Sequence, residues 1–389
     1  MRLGKRLLIA FAVVLLLALI LFFVALPPLF DRNTNQVVAP APVSVSDAAR
    51  ELHAKLWIAD LHCDALLWNR DLLQRNGHGH VDVPRLLEGN VALQAFTTVS
   101  KVPWGLNFER NPSDSDAITL LAVAQRWPVR AWFSLLERAL YQSEKLQRFA
   151  ARSQGRLVWI RSKRDLVEYD VRRESDPEIT AGFLGVEGAQ VLEGELANVR
   201  VLFDAGVRMM APTHFFDTEV GGSAHGMAKG GLTELGRRVI QEMEALGMLV
   251  DLAHASPRTI DDVLALATRP VVVSHTGVKG TCDNTRNLSD AHVRGIAATG
   301  GVIGIAFFPT AVCGDDVAAI VRAMRYTADL VGAKHVALGS DWDGAVTTPF
   351  DAAGLAQLTQ GLLDAGFTPD EIRLVMGENV KRVLLETLP

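Results

Sequence analysis

Nine short apolar runs punctuate the sequence: Leu56–Leu61, Val91–Val99, Leu157–Ile160, Gly182–Val186, Val207–Ala211, Met248–Ala253, Pro270–Val273, Gly301–Phe307 and His335–Gly339. Helical patterns fill the intervals, at 115–152, 195–205, 233–246, 257–267, 315–331 and 353–365. Buried strands alternating with amphipathic helices mean βαβ units around a parallel sheet. A closed barrel needs eight strands, so one run is surplus. Leu157–Ile160 is the weakest, because it follows a long helical insertion and precedes a highly charged stretch. An open doubly wound sheet is the alternative, but no Gly-rich phosphate loop follows the first run. Polar residues instead close many different runs, and only in a barrel do those ends converge on one mouth. The expected architecture is therefore α/β: a TIM-type (β/α)8 barrel over 48–389, preceded by one N-terminal transmembrane helix.

That helix comes from Leu7–Leu26, twenty residues without a polar or charged side chain. At ~1.5 Å per residue it spans a hydrocarbon core of ~30 Å. It contributes to a mean hydropathy of +0.18, unusual for a soluble enzyme. Arg2, Lys5 and Arg6 precede the run and no acid comes before Asp31, so the N-terminus is expected in the cytoplasm and the remainder outside. A cleaved signal peptide or a buried core helix are the competing readings. The run is longer than a typical signal core, and Leu26-Pro27-Pro28-Leu29-Phe30 is a poor cleavage site. We expect a signal anchor over 1–30, a Pro/Ser-rich linker over 31–47, and a single-pass, membrane-anchored protein with its large domain periplasmic or extracellular. Net charge is −5, or −8 without the three N-terminal cations, which argues against a nucleic-acid partner. Three cysteines make no disulfide framework. Cys282–Cys313 is the candidate pair, with free buried thiols the equal alternative.

The ends of the runs carry the chemistry. The first ends in Asp60-Leu61-His62-Cys63-Asp64, and strand alternation points His62 and Asp64 the same way. A later run ends in Glu187, and a carboxylate after buried apolar residues needs a partner. Three more end in His214, His254 and His275, and the last in Asp341. One histidine at a strand end is commonly structural; three in successive strands are not so explained. Nitrogen and oxygen donors without thiolate suit zinc or a similar divalent ion in a catalytic role. Six or seven such residues exceed the needs of one tetrahedral ion and suit two, bridged by a carboxylate ~3.5–4 Å apart. Charges agree: two divalent ions are balanced by Asp64, Glu187, Asp341 and a hydroxide. His225 is read as a solvated loop residue, with a substrate contact as the alternative; His78 and His80 suggest a flexible loop rather than a metal contact, and Asp343 a turn residue rather than a ligand.

These motifs, in this order, resemble the membrane dipeptidase (renal dipeptidase) family, peptidase family M19, within the amidohydrolase superfamily. The resemblance covers about Leu56 to Leu385. It rests on D-x-H-x-D at Asp60, VEG at Glu187, TH at His214, DLAHAS at His254, VVVSHT at His275, the Arg286-Asn287 pair and GSDWDG at Asp341. Spacings match as well: 27 residues from Glu187 to His214, 21 from His254 to His275 and 11 from His275 to Arg286. The resemblance implies two zinc ions, one held by His62 and Asp64, the other by His254 and His275, with Glu187 bridging. It implies that His214 stabilises the oxyanion, Arg286 grips the substrate carboxylate and Asp341 manages the proton. The implied activity is zinc-dependent hydrolysis of dipeptides, some with a C-terminal D-residue, by a water whose pKa the metal lowers towards ~7. Two copies could associate as a homodimer. The alternative keeps the metals but acts on another small amide, an N-acyl amino acid or a lactone; a receptor without turnover would lack one of these residues, and none is missing. The loop 215–226 departs from the family's Asn-rich, Trp-containing pattern, which leaves substrate preference open.

Overall fold

The structure is a computed structural model and describes residues 2–38 and 43–389. Eight parallel strands form the barrel: β1 (Ile58–Cys63), β2 (Val91–Val99), β3 (Thr180–Glu187), β4 (Val207–Met210), β5 (Leu249–Val250), β6 (Val272–Thr276), β7 (Val302–Ile305) and β8 (Val336–Leu338). Their order in the sheet is 5-4-3-2-1-8-7-6. Every strand thus lies beside its sequence neighbours, and β8 returns to β1 at Leu338–Asp60. A parallel bridge between Asp251 and Val272 joins the two ends of the path, with Leu252 N–H donating to the Val272 carbonyl at 2.8 Å. The surplus run is Leu157–Trp159. It pairs with Thr180–Gly182, the part of β3 that β4 does not reach, because β4 starts opposite Leu184.

All eight strands are buried, which is why they read as continuous apolar runs. An inner layer takes Ala59 and Leu61, Leu93 and Ala95, Ala181 and Phe183, Met209, Leu249, Val272, Val302 and Ala337. Val380, Val383 and Leu384 of the last helix, Asn379–Thr387, pack on this layer. The polar strand ends are left at the opposite, C-terminal mouth.

The N-terminal helix runs from Arg2 to Thr34 through a π-turn at Leu21–Ala25. Pro27 and Pro28 lack N–H groups, so the hydrogen-bond ladder is interrupted where the turn widens. Among the described residues this is the one helix long and apolar enough to cross a membrane, and its side chains from Leu7 to Leu21 are exposed. The structure differs from the expected linker over 31–38. Asp31 is buried against the Arg70 guanidinium (3.0 Å) and His78 (3.1 Å), and Asn35 accepts the Ala345 N–H at 2.9 Å. Gln36–Val37 then pairs with Thr347–Thr348. A buried arginine requires acid partners, and the segment supplies one. Residues 39–42 of the expected linker lie outside the described residues.

Cys282 and Cys313 form a disulfide with Cα atoms 5.3 Å apart, and Cys63 is free and buried. Thiol titration of the denatured, unreduced chain should therefore find one reactive thiol, and three after reduction. Three before reduction would disprove the pairing.

Candidate functional site

Glu187 faces the mouth by simple alternation along β3, following Phe183 of the inner layer. Gly188 lets the chain turn away at once: its φ is +95°, and a Cβ there would lie 2.1 Å from the Gln190 side chain. His62 and His275 need more than alternation. The pairing of β1 shifts between Asp60 and Cys63, and that of β6 between Val273 and Thr276. Such bulges re-aim side chains at barrel rims. Cys63 accordingly packs in the outer shell while Leu61 stays in the inner layer. His254 and Asp341 lie just beyond their strands with φ of +61° and +63°, left-handed backbone that costs a non-glycine residue energy and recurs at functional sites.

The structure brings together His62, Asp64, Glu187, His214, His254, His275 and Asp341, all read from strand ends, and sets beside them Arg286, which the resemblance supplied. Glu187 is the centre. Its Oε1 lies 3.0 Å from His254 Nε2, 3.3 Å from His275 Nε2 and 3.6 Å from His62 Nε2; its Oε2 lies 3.1 Å from His214 Nε2. His62 Nε2 is also 3.6 Å from Asp64 Oδ1 and 3.8 Å from Asp341 Oδ1. His254 Nε2 and His275 Nε2 approach to 3.0 Å. Arg286 is buried; Nη2 donates to the His275 carbonyl at 2.9 Å, while Nε and Nη1 have no acceptor.

Burial and crowding set the protonation. Burial pushes His214, His254 and His275 well below the ordinary imidazole range, with Arg286 and neighbouring imidazoles adding to the effect. They are neutral rings with a lone pair to offer. Burial also opposes protonation of His62, but Asp64, Glu187 and Asp341 outweigh it and draw its pKa up to about 10. Burial, then the Asp64 carboxylate, pushes Glu187 well above its usual range. Burial likewise raises Asp341, to about 7.

The donors fit divalent metal. Two donors on one tetrahedral ion at ~2.0–2.1 Å stand about 3.3 Å apart, close to the His254–His275 and His275–Glu187 separations. Ligand atoms fall into three overlapping groups, each within 4.8 Å: His62, Glu187 and His275; Glu187, His214 and His254; His62, Asp64 and Asp341. Glu187 and His62 each belong to two. The buried His62 Nε2 lacks a hydrogen-bond partner, as expected of a nitrogen reserved for a cation.

Several supports were given no role from the sequence, although Asp60 and Asn287 stand in its motifs. Ser274 Oγ touches Nδ1 of both His62 (3.1 Å) and His275 (2.9 Å), turning both Nε2 atoms to the site. Thr97 donates to Asp64 Oδ1 at 2.6 Å. Asp60, first of the D-x-H-x-D motif, accepts from Gln94 and Ser340 and ties β1 to its neighbours. Asn287 holds the Arg286 loop by donating to the Cys282 and Ala311 carbonyls. Period and spacing could not have identified the roles of Ser274, Thr97, Gln94 and Ser340, which act across strands.

The loop histidines differ from expectation. His225 is buried, with Nδ1 2.7 Å from the Phe108 carbonyl and its ring 5.2 Å from that of His254. Burial and then Arg286 bring its pKa down to about 3. The loop folds inward because Asp217 accepts the N–H groups of Ser223, Ala228 and Lys229. His80 is also buried, bound to Asp343. Asp343 does occupy a turn, at φ +63°, and there it pairs with Arg70 at 2.8 Å.

The sequence pattern of the membrane dipeptidase family (peptidase family M19) matches residues 46–388. The chain is 27% identical to dipeptidase aclJ of Aspergillus oryzae over 348 residues, 84% of this chain and 77% of that protein. It is 31% identical over 255 residues to an uncharacterized protein in the pqqA 5' region of Klebsiella pneumoniae, covering 61% of this chain and 92% of that one. Its fold is similar to that of a Rhodobacter sphaeroides metallo peptidase liganded with a phosphinate mimic of the dipeptide L-Ala-D-Ala. There the TM-score is 0.71 at 24% identity, over 85% of this chain and 99% of that one. The probable dipeptidase PvdM of Pseudomonas aeruginosa gives 0.73 at 19% identity, over 87% and 97%.

Proposed function

The chain belongs to the membrane dipeptidase family, peptidase family M19, and from that premise we propose that it hydrolyses dipeptides at two divalent metal ions, zinc or a close substitute. One observation carries the reading: four imidazole Nε2 atoms lie within 3.6 Å of the single carboxylate of Glu187. His62 and Asp64 would hold one ion and His254 and His275 the other, with Glu187 shared. When bound, the ions supply Lewis-acid polarisation and make water a nucleophile near neutral pH.

The protein's own groups do the rest. Arg286 offers Nε and Nη1 to the substrate carboxylate and so fixes the amide over the carboxylates. His214, held neutral by burial and with Nε2 turned to the site, donates to the carbonyl oxygen as it gains charge. Asp341, buried at the mouth with Oδ1 3.8 Å from His62 Nε2, takes the proton of the attacking water and returns it to the leaving amine. The N-terminal helix anchors the chain in a membrane with the barrel outside the cytoplasm. The basic N-terminus and the Cys282–Cys313 disulfide support that side.

Full-length protein should carry about two metal ions per chain on elemental analysis and cleave members of a dipeptide panel that includes C-terminal D-residues. Undiminished activity in a metal-free preparation would sink the proposal. Arg286→Ala should raise KM for dipeptides roughly 10- to 100-fold and leave an amide without a carboxylate unaffected. Equal effects on both would remove Arg286 from its assigned role.

A further inference from the structure

A cavity of about 530 Å3 opens from the site. Its floor is Glu187, His214, His254, His275, Arg286 and Asp341, but its walls are almost wholly apolar. The N-terminal helix supplies Leu26, Pro27 and Phe30 to them, and Trp68, Trp104 and Leu121 stand alongside. The helix is fixed there. Its Leu26–Thr34 turns pack on the helix Ala117–Ala124, Phe30 meets Trp68 with ring centroids 5.9 Å apart, and Asp31 is paired to Arg70. The membrane-spanning element therefore also forms a wall of the site.

Its position sets the depth of the mouth. The apolar run that fits a bilayer ends at Leu26, and Phe30 lies only about 6 Å further along the axis. The cavity thus opens at the level of the lipid headgroups. The rim agrees: Trp104 is 59% exposed, Leu120 45% and, on the same insertion, Phe133 83%. Exposed tryptophan and aliphatic side chains beside a membrane helix suit the interfacial zone.

We infer that the preferred substrate is an amphiphile: a dipeptide-type amide with a long apolar chain on the acyl side of the scissile bond, drawn from the membrane surface. This rests on the dipeptidase reading. With the carboxylate end held by buried Arg286 on the floor, only the acyl end can extend to the rim. A small polar dipeptide would leave the apolar walls wet, whereas an alkyl chain removes them from water. The hydrolysis itself is unchanged: water adds across the C–N bond, releasing an apolar acyl product and an amino acid.

The test uses full-length protein in lipid nanodiscs with dipeptides Xaa-Ala, where Xaa runs from alanine through norleucine to 2-aminododecanoate. We expect kcat/KM to rise at least about tenfold along the series. Phe30→Asp and Trp104→Ser, both at exposed positions that tolerate change, should each shrink the ratio of long- to short-chain kcat/KM. A flat or falling series with Ala-Ala still cleaved overturns the inference and leaves the dipeptidase reading intact. A second readout is independent of turnover: metal-free protein should bind the long-chain dipeptide more tightly than Ala-Ala, by change in tryptophan fluorescence. If no dipeptide is cleaved the dipeptidase reading fails, and equal binding of the two ligands would then reject the apolar cavity as well.

Discussion

Glu187→Ala will abolish dipeptide hydrolysis, by at least about 10³-fold in kcat/KM, and will lower the metal content of the purified protein. In the proposed site the residue is not one ligand among equals. Its two oxygens meet His62, His214, His254 and His275, which come from four different strand ends. Without it, four neutral or protonatable rings face one another and Asp64 and Asp341 alone neutralise the cations. Glu187→Gln separates shape from charge: the amide fills the same space but offers less to a cation, so it should lose metal almost as fully. Elemental analysis beside steady-state kinetics, with a melting curve to verify folding, decides the matter. Activity within tenfold of the parent in either variant would exclude Glu187 as the bridge.

The largest effect on stability is expected at Asp343, outside the set of proposed ligands. Its carboxylate is wholly buried, is ion-paired with the Arg70 guanidinium and accepts from the backbone N–H groups of His80 and Val81. Burial alone would raise its pKa, but Arg70 and His80 hold it well below the usual carboxylate range. Asp343→Ala leaves Arg70 with Asp31 as its remaining acid partner, and removal of one member of a buried pair costs about 3–5 kcal/mol. The sign with pH follows. Because the folded-state pKa lies below the unfolded value of ~3.9, the contribution is complete above that value and is lost as pH falls below it. Chemical denaturation at neutral and acid pH should therefore show a gap between parent and Asp343→Asn that narrows towards acid. A constant gap would mean that the charge is not the source.

The barrel was legible because its strands are buried on both faces, so that each registers as an apolar run with a helix-period interval after it. The ligand-type residues were legible because strand ends converge in such a fold. What escaped depended on residues far apart in the chain. Alternation turns Cys63 away from His62 and Asp64, and it does pack in the outer shell, but the bulge in β1 that keeps Leu61 in the inner layer has no sequence signal. The docking of Asp31 and Asn35 relies on Arg70 and on the turn at Ala345, to which nothing in a Pro/Ser-rich segment points. His225 read as a solvated loop residue; Phe108, from a separate insertion, covers it. Both readings of Cys282 and Cys313 were open, since proximity across a sequence separation of 31 is a tertiary fact.

The barrel is unevenly stitched. β2 and β3 align over seven consecutive residue pairs, from Leu93–Ala181 to Val99–Glu187, whereas β5 is two residues long and meets β6 through one bridge. That thin seam lies between the strands leading to His254 and His275. An ion gripped by these two rings would act as a clasp across the seam, so that loading the site and shutting the cylinder become a single equilibrium. The cost of emptying the site would then fall on the scaffold as much as on the chemistry, and the staves beside the clasp would be the first to part.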